Sequence, residues 1–378
     1  MGYRFDFEKM KITATGGIYV RTYPTAEQII IDSKITEKPG MFSNSIFVQS
    51  LLPDEHTILV KKNGYYDYFK TIPVQEKQVT KLEDVLLIKK NIQFGIITDK
   101  TQSPFSNQEK FLIKNNNLYY SNVLENSELS ATQKSTPILK KIVAFATQNN
   151  NIIWLGSDGF LYKSDLANLT TNPIKIILTP IKIIKTGFYK IITDNNDVFV
   201  DNNGSLLFLN TKTNALDNFY APVKDAKISP DGKNIIYYND NNIYISPISN
   251  EPEVKNVLYK SPAYAEASEG KSEKINNCLW LNNNYIIFTA GDKIIISEID
   301  YRGNINAVTL PTTITIPSSQ KTDVQSISGD KTNTQQSLAE QDGTVVKIKS
   351  PEIFFNQQDG KLYILTNETL LLSEKITP

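Results

Sequence analysis

The chain has 378 residues, with Lys+Arg and Asp+Glu each numbering 40, so its formal net charge is zero. That length supports two domains with an ample core, and the charge balance excludes the basic field of a nucleic-acid-binding protein or the block charge of an acidic tail. The chain carries one cysteine, Cys278, and one histidine, His56, which excludes a disulfide framework and a Cys/His metal site within one molecule.

Residues 1–14, opening Met1-Gly2-Tyr3-Arg4-Phe5-Asp6-Phe7, read as a lead-in with no signal-peptide pattern. No apolar run in the chain approaches the ~18 residues of a membrane helix. A strand is predicted around Ile29-Ile30-Ile31-Asp32. Leu52-Pro53-Asp54 reads as a turn, and the segment after it alternates. Ile58 and Val60 share one face and Thr57 and Lys61 the other, the period of a half-buried strand. Asn63-Gly64 predicts a tight hairpin turn, since both residues accept positive φ at low cost. Tyr65, Tyr66, Tyr68 and Phe69 follow, more aromatic surface than one strand face can bury. They fit either the edge of a core or an exposed rim that binds a partner or wall polymer.

Pro24, Ile29, Ile31 and Asp32, followed at this spacing by Leu52, His56, Ile58, Val60, Gly64 and Tyr65, make residues 15–90 resemble a PEGA domain. This is a small β-sandwich module of bacterial envelope proteins. Of the family's name-giving quartet only the proline survives, in Pro24-Thr25-Ala26-Glu27, and Ser33 stands where the family usually has glycine. The resemblance implies no catalysis and gives His56 the structural place of a turn residue entering a strand. It implies an envelope protein on the outer side of the cytoplasmic membrane. In such proteins a segment like Gly2-Tyr3-Arg4-Phe5-Asp6 commonly follows an N-terminal anchor, so ~20 apolar residues are expected before Met1.

Lys89-Lys90-Asn91 is a polar junction. Beyond it a unit recurs: a short apolar strand, an Asn/Asp/Gly turn, then a strand with a bulky pair. The instances centre on Phe111 and Tyr119, Trp154 and Tyr162, Phe199 and Phe208, Tyr237 and Tyr244, Phe288 and Ile295, and Phe354 and Tyr363. A repeat of roughly 40–50 residues built only of short strands is the signature of a β-propeller. The expected propeller spans 92–378 with about six blades, and 305–350 leaves room for a seventh. Ser229-Pro230-Asp231-Gly232-Lys233 resembles the turn of WD40-like repeats of the TolB type. Pro230 presets φ, Asp231 caps the turn and Gly232 takes the left-handed position. Ile92–Ile97 and 369–373 are expected to complete one blade from the two ends of the propeller, because an unclosed propeller leaves open edges. Segments 261–274 and 318–345 are polar and of low complexity, and are expected to be mobile insertions.

Chemistry is hard to place on this sequence. There is no Gly-x-Ser-x-Gly elbow, no Walker loop and no Gly-x-Gly-x-x-Gly loop. Counted from Asp194, a calcium loop would need oxygen ligands where Val198 stands, so Thr193–Asp197 and Asp201–Gly204 read as two hairpin turns. The reading is an all-β protein, a PEGA-like sandwich followed by a propeller, without cofactor or catalytic residues. Its role is that of an extracytoplasmic binding or scaffolding platform for a protein or a cell-wall polymer. The alternatives are a propeller enzyme acting on glycans through Asp/Glu carboxylates, or the ectodomain of a membrane sensor.

Overall fold

A computed structural model describes residues 2–7, 10–40, 42–98, 104, 111–120, 136–169, 173–194, 197–248, 256–261, 273–316 and 343–377. Among these the chain is all-β apart from one short 3₁₀ turn, Leu166–Asn168. No helix in the described residues is long and apolar enough to cross a membrane. Two compact units divide the chain: Met1–Ser103 with Ser261–Pro378, and Pro104–Lys260. The junction at Lys89-Lys90-Asn91 is therefore not where compactness breaks. The sandwich and the C-terminal strands fall in one unit.

The first unit opens with a two-stranded ribbon, β1 (Tyr3–Asp6) and β2 (Lys11–Ala14). Then come β3 (Gly16–Tyr23), β4 (Gln28–Ile31), β5 (Ile35–Glu37), β6 (Ser45–Leu51), β7 (Glu55–Lys61), β8 (Tyr68–Pro73) and β9 (Val79–Leu86). They form two sheets, ordered β6-β3-β9 and β5-β4-β7-β8, with β3 and β9 parallel. Alternation supplies the core between them. Ile18, Val20, Ile29, Ile31, Ile58, Val60, Ile72 and Leu82 are all buried in one apolar cluster. This is a β-sandwich over the span read as PEGA-like.

Two turns refine the sequence reading. Asp32 and Ser33 both take left-handed φ, 52° and 56°, in the three-residue connection from β4 to β5. A glycine would be relaxed at Ser33, where the side chain instead carries a local steric cost. Gly64 has φ 80°, and the Tyr65 amide donates to the Lys62 carbonyl at 3.1 Å. The turn is there, but it does not lead straight into the next strand. Tyr65 bridges to Lys89 and the Tyr66 amide donates to the Ile88 carbonyl before β8 begins.

The remaining strands make antiparallel blades. In the second unit one three-stranded sheet spans Phe111–Lys114, Asn117–Tyr120 and Leu139–Lys140. Three four-stranded sheets follow, from Ile142–Gln148 to Ile174–Lys175, Tyr189–Asp194 to Ala215–Tyr220, and Asp225–Ile228 to Asn256–Lys260. In the first unit, Ile275–Trp280, Tyr285–Ala290, Lys293–Glu298 and Ala307–Thr309 form another. Tyr285–Ala290 is buried throughout, which is why it reads as a continuous apolar run instead of alternating.

The last blade joins distant segments. β10 (Phe94–Ile97) pairs with Thr369–Lys375, which pairs with Lys361–Thr366 and so to Glu352–Asn356. Phe94 lies opposite Ser373 and Ile97 opposite Leu370. Both ends of the expected propeller thus meet in one sheet. The stretch 305–350 holds no further blade among the described residues, only a hairpin of Thr313–Ile316 with Thr344–Lys347. Most of both expected insertions, 262–272 and 317–342, lies outside the described residues. Thr344 and Val345 belong to that hairpin and not to a loop, since Val345 pairs with Thr315 and Val346 with Ile314.

Candidate functional site

β8 is the edge strand of its sheet, and loop 299–306 of the blade from Ile275 to Thr309 covers it. The Thr71 amide donates to Asn304 Oδ1 at 2.8 Å, and Asn304 Nδ2 donates to the Phe69 carbonyl at 2.7 Å. Side-chain amides thus satisfy an edge that would otherwise invite another strand. Gly303 permits the approach. Its φ is 62°, and a Cβ there would sit 1.8 Å from the Thr71 carbonyl oxygen.

Beneath this loop lies a closed polar cluster. Tyr68, Lys70 and Ile72 share the inward parity of β8, and Lys70 is fully buried. Its ammonium donates to Glu298 Oε1 at 2.6 Å, to the Asp300 carbonyl at 2.7 Å and to the Asn304 carbonyl at 3.0 Å. Those three acceptors use its three hydrogens. Glu298 Oε1 also accepts from the Asn306 amide at 2.8 Å, and Oε2 accepts from the Tyr68 hydroxyl at 2.9 Å. Arg302 forks onto Asp300 and reaches the Lys81 carbonyl at 2.9 Å.

The electrostatics follow from burial. Burial pushes the Glu298 carboxyl above its ordinary value, against the pull of the Lys70 ammonium and of three hydrogen bonds. At Asp300 burial acts the same way, but the Arg302 guanidinium and Lys70 outweigh it and hold the group below the usual range. Burial, then the Glu298 charge, pushes both the Tyr68 and Tyr285 hydroxyls up. A cleft of about 260 Å³ opens over the cluster, lined by Lys81, Glu83, Asp84, Tyr285, Asp300 and Arg302 among others. Lys70 spends its three hydrogens on structural partners and Glu298 accepts from three, so the cleft offers a charged, hydrogen-bonding wall. No group of three or more His, Cys, Asp or Glu residues able to hold a metal occurs among the described residues.

The aromatics expected to form a rim are dispersed. Tyr68 is buried, because β8 parity turns it inward toward Glu298. Tyr65 packs half-buried on the sandwich core and Tyr66 on the core of the C-terminal blades. Phe69 alone of the four is well exposed. His56 is buried, its Nδ1 2.6 Å from Asp32 Oδ2 and its Nε2 2.8 Å from the Leu52 carbonyl. It ties the β4–β5 turn to the start of β7. Asp194 and Asp197 face each other across a hairpin whose tip, 195–196, is outside the described residues. At Asp231 the Ser229 hydroxyl donates at 2.7 Å while the Asn234 amide donates to that hydroxyl at 2.9 Å, and Gly232 has φ 72°. Lys70 and Glu298 were not singled out by sequence. The available signal was a lysine in the buried parity of a strand.

The family model of the NUP159/214 beta propeller matches residues 120–300, just under half of the chain. With the repeated antiparallel sheets, that match identifies the fold. The chain carries a β-propeller domain. No curated protein matches the sequence. Among solved structures, YCF48 from Cyanidioschyzon merolae is 11% identical, with TM-score 0.40, covering 94% of this chain and 98% of that one. BamB from Moraxella catarrhalis is 10% identical, with TM-score 0.37, covering 85% and 79%. The extracellular domain of the hybrid two component system BT4673 from B. thetaiotaomicron is 12% identical, with TM-score 0.38, covering 85% and 37%. Likeness at this level bears on neither partner nor location.

Proposed function

We propose that this chain is a non-catalytic binding protein of the cell envelope. It presents a propeller and a PEGA-like sandwich on the outer side of the cytoplasmic membrane to a protein or a wall polymer. The observation behind the non-catalytic part is the cluster of Tyr68, Lys70 and Glu298, in which all three hydrogen bonds to the carboxylate come from groups of the fold itself. The most deeply buried charged pair of the first unit is spent on fixing loop 299–306 to β8. The envelope part rests on the PEGA resemblance of residues 15–90.

The test has two arms. Fractionation of the native organism with an antibody to the propeller should recover the protein with the envelope; recovery wholly in the soluble cytoplasm overturns the location. Incubation of the purified chain with isolated wall polymer should give co-sedimentation or nothing, with no new reducing ends. Release of reducing ends that stops in Glu298→Gln would make the protein an enzyme.

A further inference from the structure

The ribbon β1–β2 is built inside out. Register places Phe5 opposite Ile12, Arg4 opposite Thr13 and Asp6 opposite Lys11. Directly opposed residues share a face, so Tyr3, Phe5 and Ile12 lie on one side and Arg4, Asp6, Lys11 and Thr13 on the other. Half of the polar side is turned toward the protein, while Arg4 and Lys11 are exposed. Asp6 and Thr13 are each only 4% exposed, and Arg4 Nη1 donates to the Ser50 carbonyl at 2.9 Å. The apolar side faces out. Tyr3 is 71% exposed, Phe5 43%, Phe7 80%, Met10 73% and Ile12 72%.

This is an ordered face and not a loose end. Buried Thr15 clamps its base: the Gly2 amide donates to Thr15 Oγ1 at 3.0 Å, and the Thr15 amide donates to the Gly2 carbonyl at 2.8 Å. Phe5 and Phe7 pack edge to face at 5.0 Å. At about 200 Å² for an aromatic side chain, the exposed portions sum to on the order of 600 Å² of continuous apolar surface. That is the upper limit of what an ordinary monomer leaves uncovered.

We infer that this face pairs with its counterpart on a second copy of the chain, ribbon against ribbon about a twofold axis. Two observations select that occupant. Two such faces would remove roughly 1,200 Å² from water, the threshold of a specific protein–protein interface. Among the described residues of the face none is charged, so these two patches meet without like-charge repulsion, as an isologous contact requires. An anionic lipid surface would be met by cations framing the aromatics. Here Arg4 and Lys11 lie on the opposite side of the ribbon.

Sedimentation equilibrium of the full chain from about 1 to 100 µM tests the pairing. The expected result is a monomer–dimer equilibrium. The triple variant Phe5→Ser, Phe7→Ser, Ile12→Ser should weaken it at least ten-fold with an unchanged thermal melt, because the three side chains are exposed. A chain that stays monomeric at 100 µM overturns the inference, as does a dimer whose Kd the triple substitution leaves unmoved. Flotation with phosphatidylglycerol vesicles separates the lipid reading. Vesicle binding lost in the triple variant, by a chain that is monomeric without lipid, overturns the pairing in favour of a membrane surface.

Discussion

Lys70→Met is the most informative single perturbation. It removes the countercharge of a buried carboxylate but leaves Glu298 two donors, the Asn306 amide and the Tyr68 hydroxyl. Breaking one side of a buried pair costs about 3–5 kcal/mol, and the two remaining donors place this case near the lower end, about 3. Glu298→Gln keeps the shape, and Lys70 keeps two carbonyl acceptors with Asp300 Oδ2 3.8 Å away, so about 2 kcal/mol is expected. The double variant no longer strands a charge, so it should cost about 3–4 kcal/mol, leaving a coupling of ~1–2. Trp280 is buried in the first unit, and in a Trp154→Phe background its fluorescence reports that unit. With a urea slope of ~3 kcal/mol per molar, Lys70→Met should lower the midpoint by roughly 1 M. A loss below ~1 kcal/mol, or strictly additive single variants, would refute the view that this pair bolts loop 299–306 to β8.

Gly303→Ala places a Cβ 1.8 Å from the Thr71 carbonyl at positive φ, so the loop must lift from β8; the same urea curve should show a loss of about 2–3 kcal/mol. Thr13→Val should stabilise the fold by about 1 kcal/mol, since the Thr13 hydroxyl is buried without a hydrogen-bond partner. Burial raises Asp231, but the Ser229 hydroxyl and the Lys233 amide and ammonium outweigh it and hold the carboxyl below its ordinary 3.8. Its stabilisation is therefore present above pH ~3.8 and is lost as pH falls through the lower folded value, so parent and Asp231→Asn should converge in acid. Deleting 366–378 removes the strand between β10 and Lys361–Thr366, and the melting temperature should fall by more than ~10 °C. A deletion that melts like the parent would mean that β10 does not depend on this pairing.

Four of the blades were legible because each has a strand buried on both faces, and a run such as Tyr285-Ile286-Ile287-Phe288 is unmistakable at that density. The sandwich was legible because β7 alternates cleanly between Ile58 and Val60 and the outward Thr57 and Lys61. Parity also decides between the two readings of Tyr68, core edge and exposed rim, in favour of the first. A local count of aromatics cannot say which side of an edge strand meets the protein, and Lys70 was not singled out because its partner Glu298 is more than 200 residues away. The ribbon face was missed because residues 1–14 read as a lead-in, and only the register of Phe5 opposite Ile12 shows that buried Asp6 and Thr13 lie on the other side. Only tertiary contact assigns these residues to inside or outside.

The pairing of β10 with Thr369–Lys375 also sets a schedule for synthesis. The ribosome releases β10 about 270 residues before its partner exists. At ~5–20 residues per second that interval is roughly 15–50 s, during which Phe94 and Ile96 have no strand beside them. Lys89 and Lys90 lie a few residues before this segment, and charges flanking an apolar strand oppose its premature association. When the last strand arrives, Lys89 changes role: its ammonium donates to Glu374 at 2.6 Å, and the other oxygen of that carboxylate accepts the Gln93 amide at 3.1 Å. The residue that keeps the early strand soluble becomes part of its lock.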